Sequence, residues 1–304
     1  MKEFALAAAW NWEYDSDFMQ LLKDECRSRR LSLCEITPEN LPQRLEELRE
    51  GKISFRSFFD RASDADEAFF PLVDLMNERA VFVINRHEDM AHARDKASMH
   101  LELITAGLNV PFTIIVSPFS RKQEFALSLS DLEHLGRPFI IKPANTTGGG
   151  LGVVLGAETL KEVLDTRQHH KDDKYLLQET IRPAMLDHMR AWFRVIYALG
   201  EVIPCWWDDQ THVYRELSSD EEQRYGLGEL RRAAKKIHSV CRLDFFSTEI
   251  ALTPAEKFVV IDYVNEVCDM RLQSKHTDGV PDDIVQRIAA GIAKKVAEVT
   301  RKKK

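Results

Sequence analysis

Residues 139–153 read FIIKPANTTGGGLGV, and they combine an apolar strand, a lysine and the densest glycine cluster of the chain. A lysine at the end of such a strand, here Lys142, can direct a fixed positive charge at a phosphate. The glycines let backbone N–H groups approach phosphate oxygens without a Cβ in the way, and Thr146 and Thr147 can add hydroxyl donors. The alternative is a flexible hairpin with a surface lysine. The candidate phosphate-binding glycines are Gly148, Gly149 and Gly150.

This glycine cluster matches neither of two common phosphate-binding motifs. No Gly-Lys-Ser/Thr follows it, so it is not a Walker A loop, and it does not open a helix as a dinucleotide-binding fingerprint does. A phosphate-binding function therefore has to be supported by residues elsewhere in the chain.

Three later stretches supply that support. Residues 175–181 read YLLQETI, an apolar strand after which backbone groups of Glu179 and Ile181 can pair with an adenine edge. Residues 243–250 (LDFFSTEI) and 260–265 (VIDYVN) place acidic and amide groups within two apolar strands. Each of these groups alone could be an ordinary outward-facing residue, but two adjacent antiparallel strands would present them together. Carboxylate oxygens suit Mg²⁺, so the pattern predicts a metal site.

The first 90 residues or so alternate between apolar strands and amphipathic helices. This alternation predicts a small doubly wound sheet. The strands are expected at 4–9, 31–36, 53–59 and 80–84.

The order of these motifs resembles that of the ATP-grasp superfamily, which includes glutathione synthetase, D-alanine–D-alanine ligase and biotin carboxylase. The resemblance covers nearly the whole chain, and Arg-Asp-Lys at 94–96 followed by GLNVPFT at 107–113 is similar to the entry into the family's ATP lobe. It implies an α/β protein, α+β in the ATP lobe, with an N-terminal doubly wound, Rossmann-like pre-ATP-grasp domain. The implied domains are 1–93 and 94–304, the second with a smaller lobe at about 94–176 and a larger lobe at about 177–304.

The same resemblance implies a role for individual residues. Lys96 and Lys142 would be the two phosphate-binding lysines, and Arg194 would face the phosphates or an acyl phosphate as the catalytic arginine. Arg61 stands where relatives often place an arginine for the substrate. The implied adenine hinge is Gln178, Glu179 and Ile181, and the implied magnesium ligands are Glu249, Asp262 and Asn265.

The chain departs from the family pattern at the metal site. Relatives usually carry Glu-x-Asn, whose two side chains share one face of a strand, whereas Asp262 and Asn265 are three residues apart. Either a bulge re-aims one side chain, or Tyr263 fills the carboxylate position and weakens the site; we predict the bulge. Arg271, in the segment that replaces the family's Pro-Gly, is either an extra substrate or phosphate contact or part of a structural ion pair.

The resemblance implies a ligase that uses ATP and Mg²⁺ to activate a small-molecule or peptide carboxylate for attack by an amine. An ATP-grasp kinase and a non-catalytic ATP binder are the alternatives. A net charge of -7 and a pI of about 5.9 argue against a nucleic-acid partner. The five scattered cysteines and the lack of a long apolar run predict a cytoplasmic protein without membrane association. A homo-oligomer is left open.

Overall fold

The computed structural model of the chain describes residues 1–79, 81–123, 127–146 and 150–302. It begins with four parallel strands in the order β2-β1-β3-β4. The strands are β1 (Lys2–Trp10), β2 (Leu33–Ile36), β3 (Ile53–Arg61) and β4 (Phe82–Ile84), connected by α1 (Ser16–Ser28), α2 (Leu41–Arg49) and α3 (Phe70–Glu78). These lie close to the strands expected from the sequence.

Both faces of this N-terminal sheet are covered, which explains why β1 is apolar from Phe4 to Trp10. Leu6 and Ala8 pack into the core that includes α1, whereas Ala7 and Ala9 pack into the core formed with α2 and α3. The sheet is therefore buried on both sides.

Two helices and a small antiparallel sheet follow. The helices are α4 (His87–Arg94) and α5 (Lys96–Thr105). The sheet has the order β5-β8-β6-β7. Its elements are β5 (Thr113–Val116), α6 (Leu129–Leu135), β6 (Phe139–Pro143), β7 (Val154–Ala157), α7 (Leu160–Thr166) and β8 (Tyr175–Glu179).

A larger antiparallel sheet, in the order β13-β12-β11-β14-β15, forms the centre of the molecule. A two-stranded hairpin, β9 (Met185–Leu186) and β10 (Met189–Arg190), precedes it. The remaining elements are β11 (Trp192–Ala198), β12 (Glu201–Trp207), β13 (Tyr214–Glu216), α8 (Ser219–Arg224), α9 (Glu229–Cys241), β14 (Phe245–Leu252), β15 (Phe258–Asn265) and α10 (Asp282–Lys302). Alternate residues of β11 point to opposite faces: Val195 packs with α9, and Ile196 packs with α10.

The last helix joins the two ends of the chain. Ile288 and Ile292 of α10 are buried in the same core as Leu6 of β1 and Phe18 of α1. The predicted division between 93 and 94 stays a prediction, but α10, from the second predicted domain, packs on the first. None of the helices within the described ranges is long and apolar enough to span a membrane.

Candidate functional site

A cleft of about 440 Å³ lies between the small sheet and the large sheet. One wall carries Ile140 and Lys142 of β6 and Gln178 of β8. The described residues of the other wall come from the large sheet, the loops beside it and the start of α5. They include Lys96, Arg194, Trp207, His212, Tyr214, Glu249, Asp262, Asn265, Asp269, Arg271 and Asp278.

An irregular pairing of β14 with β15 brings the three predicted metal ligands to this cleft. Glu249 pairs with Asp262, and Ser247 pairs with Asn265, so two steps along β14 correspond to three steps along β15. The extra residue is a bulge, and the predicted bulge between Asp262 and Asn265 is confirmed. Its consequence is that Glu249, Asp262 and Asn265 all line one cleft.

Tyr263 turns away from the cleft and is fully buried. Its hydroxyl lies 2.7 Å from Nδ1 of His100 and accepts a hydrogen bond from Nε2 of Gln178 at 2.9 Å. The alternative in which Tyr263 fills the carboxylate position is therefore not what the structure has. Burial, together with the nearby charge of Lys142, lowers the pKa of His100 to about 4.

Lys142 is a buried cation that is incompletely satisfied by the protein. Lys142 comes after the apolar residues of β6 and is buried in the cleft wall. Its Nζ donates to the carbonyl of Ile261 at 3.3 Å. That carbonyl is its one hydrogen-bond acceptor within the described residues. Burial lowers the pKa of Lys142 to about 8, although the charge of Asp262 opposes the shift. A bound anion would supply the negative charge and the further hydrogen-bond acceptors that the Lys142 ammonium group lacks.

Lys96 and Arg194 add two more cations at the same end of the cleft. Lys96 is the first residue of α5, and its Nζ lies 3.9 Å from Oδ1 of Asp262. Arg194 is paired with Glu249 across β11 and β14, and its guanidinium binds that carboxylate. Nε of Arg194 is buried and lacks a partner within the described ranges.

The two carboxylates differ in their electrostatic surroundings. Burial raises the pKa of Glu249, and although Arg194 lowers it, the pKa remains above its ordinary value. Burial also disfavours the charge of Asp262, but Lys96 and Lys142 hold the pKa of that carboxyl below its usual range. Three cations therefore face two carboxylates here, an arrangement that suits a polyphosphate carrying a divalent metal.

The donor set fits Mg²⁺ in its chemistry. In the amide orientation that satisfies both of its polar atoms, Asn265 donates through its nitrogen to the carbonyl of Val267 at 3.0 Å and accepts from Nη1 of Arg194 at 3.3 Å. Two carboxylates and one amide oxygen are hard ligands, which Mg²⁺ prefers together with phosphate oxygens. Among the residues that the structure describes, no group of three or more His, Cys, Asp or Glu side chains forms a metal centre by itself.

The adenine hinge stays a prediction, and of its three residues the described cleft wall includes Gln178. Gln178 lines the described cleft wall, but Nε2 of its buried side chain donates to Tyr263 and to Thr113. The backbone N–H of Glu179 donates to the carbonyl of Phe112 at 3.0 Å and is not free to contact adenine. The described cleft wall does not include Glu179 or Ile181.

The glycine loop is anchored at its start by Asp173. This carboxylate accepts the backbone N–H and side-chain amide of Asn145 and the hydroxyl of Thr146, at 2.8–2.9 Å. The Thr146 hydroxyl donates to Asp173 in this structure, and its contact with a phosphate stays a prediction. Gly150 lines the cleft, while the predicted residues Thr147, Gly148 and Gly149 lie outside the described residues.

Arg61 and Arg271 both form ion pairs within the protein. Arg61 is buried and binds both oxygens of Asp15 at 2.7–2.8 Å, and it donates to the carbonyl of Cys268 at 2.8 Å. Arg271 binds Asp269 and Asp278, so the structural ion pair left open by the sequence is present. Arg271 also lines the cleft.

A second pocket, here called the adjoining pocket, has a volume of about 550 Å³. It shares Lys96, Asp262, Asn265 and Asp269 with the cleft. Its other described lining residues are Trp12, Arg61, Asp64, Arg94, Asn145, Val264, Glu266 and Val267.

Some residues of the site were not anticipated from the sequence. Trp192 Nε1 donates to Glu249 at 3.1 Å, and the Trp207 ring lies 4.7 Å from the Arg194 guanidinium. Ser247 accepts from Arg194 at 3.3 Å. The period of two along a strand gave a usable signal for Ser247, which is two residues before Glu249 and so on the same face. The tryptophans resemble ordinary core residues in the sequence.

Neither a protein-family model nor a curated protein sequence matches the chain. Solved structures do resemble it along its whole length. A RimK domain protein ATP-grasp from Sphaerobacter thermophilus superposes with a TM-score of 0.63 at 17% identity, covering 96% of this chain and 99% of that one. The D-alanine–D-alanine ligase from Bacillus anthracis, complexed with ATP, gives 0.64 at 11% identity, covering 100% and 99%.

A third similar structure is the ATP-grasp ligase PsnB, complexed with minimal precursor, Mg and ADP. Its TM-score is 0.61 at 15% identity, covering 98% of both chains. With the two antiparallel sheets and the cleft between them, these similarities confirm the resemblance seen in the sequence at the level of the fold: the chain has the ATP-grasp fold.

Proposed function

We propose that the protein binds Mg²⁺ and ATP in the cleft and is an ATP-dependent ligase that joins a carboxylate to an amine. The observation that carries the proposal is the β15 bulge, which places Glu249, Asp262 and Asn265 on one wall near Lys96 and Lys142. The similarity to a D-alanine–D-alanine ligase and to PsnB supports the same reaction class. The predicted pre-ATP-grasp domain at 1–93 and ATP-grasp domain at 94–304 are part of this proposal.

Bound ATP would transfer its terminal phosphoryl group to a substrate carboxylate, which would give an acyl phosphate and ADP. An amine would then attack the acyl carbon, giving an amide, phosphate and a proton. The protein contributes position and charge rather than a covalent nucleophile. Lys96, Lys142 and the backbone at Gly150 would hold the phosphates, and Glu249, Asp262 and Asn265 would hold the metal.

Arg194 is suited to the oxygen that becomes negative when the amine attacks. Its guanidinium is fixed between Glu249, Ser247 and the face of Trp207, so little reorganisation is needed when charge develops. A non-catalytic ATP binder would be favoured by a regular β15 with Asp262 turned away. The bulge instead keeps Asp262 in the cleft, which favours a catalytic protein.

An ADP-release assay with carboxylate pools tests the proposal, with hydroxylamine as the trapping nucleophile. We expect ADP release that depends on a carboxylate, with a hydroxamate as the trapped product. Asp262→Asn should abolish both while the circular dichroism spectrum stays unchanged. Asp220→Asn, on the exposed first turn of α8, is the matched control and should keep full activity.

The other outcomes separate the rival functions. A stable phosphorylated product without any hydroxamate would indicate a kinase. Nucleotide binding without ADP release from any pool would indicate a non-catalytic binder.

A further inference from the structure

The adjoining pocket lies at the carboxyl ends of β1 and β3. In the strand order β2-β1-β3-β4, the chain leaves β1 toward one side of the sheet and β3 toward the other. Ligands of open parallel sheets bind at such a switch point. Trp12 follows β1, and Arg61 and Asp64 lie at the end of β3, so the pocket occupies this crevice and opens toward Lys96 and Asp262.

Two arginines give the pocket spare hydrogen-bond donors. Arg94 is held through Nε, which donates to Glu266 at 2.9 Å, and its side chain is 34% exposed. Both of its terminal nitrogens lack a hydrogen-bond partner in the described parts of the chain. A guanidinium with two free nitrogens matches the two oxygens of a carboxylate. Arg61 adds charge, and its buried Nη1 lacks an acceptor in the same described ranges.

Asp64 supplies the opposite charge. It is half-buried in the pocket wall, and no side chain of the described residues donates a hydrogen bond to it. Burial and the neighbouring Asp60 raise the pKa of Asp64, and the charge of Arg94 partly opposes this shift. The turn that carries it is fixed, because Asp60 accepts the N–H groups of Ala62 and Ser63 at 3.1 Å.

We propose that the adjoining pocket binds a free α-amino acid as one substrate, with its carboxylate on Arg94 and its ammonium group facing Asp64. The proposal rests on the proposed function, because it names one of the two substrates that the ligase would join. A pocket of this volume accommodates a small molecule. Trp12, a residue that is 40% exposed and whose ring lies 5.2 Å from that of Tyr14, offers an apolar surface to the amino-acid side chain.

Calorimetric titration of the full chain tests this inference. The titrants are the common α-amino acids, each in both enantiomeric forms, added with and without saturating Mg²⁺ and AMPPNP. We expect at least one amino acid to bind. Its decarboxylated amine and its deaminated acid should each bind about tenfold or more weakly, because each loses one charged contact.

Two variants test where the amino acid binds. Arg94→Gln and Asp64→Asn should each weaken binding about tenfold or more and leave AMPPNP affinity unchanged. Arg86→Gln is the matched control, because Arg86 is an exposed arginine outside the adjoining pocket. It should bind the amino acid like the unmodified protein.

The outcomes distinguish this inference from the proposed function. If AMPPNP binds but no amino acid does, the inference is wrong and the proposed function is unaffected. If an amino acid binds equally well to Arg94→Gln and Asp64→Asn, the placement is wrong. If AMPPNP does not bind at all, the proposed function fails, and the titrations without nucleotide still decide the inference.

Discussion

Lys142 is a buried ammonium group with few acceptors, and this makes its contribution to nucleotide binding measurable. We predict that Lys142→Ala weakens ATP binding about ten- to a hundredfold, the equivalent of about 1.5–3 kcal/mol for a lost charge-assisted hydrogen bond. Titration calorimetry is the measurement. Lys161→Ala is the control, because Lys161 is 82% exposed in the same lobe. Unchanged affinity in Lys142→Ala would remove this residue from the site.

His100, whose Nδ1 lies next to the Tyr263 hydroxyl, is expected to make the stability of the protein depend on pH. Its pKa in the folded protein is about 4, whereas an unfolded histidine titrates near 6.5. As the pH falls from about 6.5 to about 4, the unfolded chain binds a proton that the folded chain does not, so stability decreases over this window. Below about pH 4 both states are protonated, and His100 causes no further loss.

We therefore predict that His100→Gln loses less stability than the unmodified protein between pH 7 and pH 5, by about 1–2 kcal/mol. Urea unfolding at the two pH values is the measurement. His169→Gln, at an exposed position, should retain the pH dependence of the unmodified protein. An identical dependence in His100→Gln would show that His100 does not titrate below its ordinary range.

At the residue level, the sequence was informative where charge occurs inside an apolar strand. Lys142, Glu249 and Asp262 stand out for this reason, and the structure brings them into one cleft. The residues that contact these groups were harder to predict from the sequence. Trp207 looks like a core residue in the sequence, and Tyr263 was considered there only as an occupant of the carboxylate position. The folded arrangement shows that Trp207 packs on Arg194 and that the Tyr263 hydroxyl accepts a hydrogen bond from Gln178.

Among the elements, strands with long apolar runs were predictable and short helices were not. The strand expected at 53–59 lies within β3, which extends two residues further, to Arg61. Helices α6 and α7 have seven residues each, too few to show a clear period. A signal was nevertheless present, because Ser128 with Asp131 and Thr159 with Glu162 form capping boxes at their starts.

The glycine loop offers a test at this scale. Gly152 and Gly156 both have positive φ angles, 73° and 76°, so alanine at either site costs about 1–2 kcal/mol in backbone strain. At Gly152 a Cβ would also lie 3.3 Å from Pro143 and 3.2 Å from His170, whereas at Gly156 nothing lies within 4 Å. We predict that Gly152→Ala is the more destabilising in urea unfolding, by roughly a further 1 kcal/mol. Equal losses would contradict the crowding.

For the whole molecule, α10 is expected to couple the N-terminal sheet to the central sheet. Ile292 is fully buried in the core that both sheets share. We predict that Ile292→Ala costs about 2–5 kcal/mol and lowers the melting temperature of the molecule as one unit. Scanning calorimetry would show this as a single shifted transition. Lys294→Ala is the control, because Lys294 is an exposed residue of the same helix. It should change stability by less than about 0.5 kcal/mol.

Two separate transitions, with only one shifted by Ile292→Ala, would show that the lobes unfold independently. The sequence could not reveal this coupling, because the apolar period of α10 shows that the helix has a buried face and not which sheet covers it. The resemblance placed this helix in the second domain, whereas its packing connects it to the first as well.

The position of α10 also has a consequence for synthesis. About 200 residues separate the end of β4 from the start of α10, and ribosomes add roughly 5–20 residues per second. At those rates, roughly 10–40 s pass between the synthesis of β4 and the start of synthesis of α10, the helix that covers one face of the N-terminal sheet. During that interval Leu6, Phe18 and their neighbours lack part of their final cover, and the nascent chain exposes apolar surface of the kind that chaperones bind.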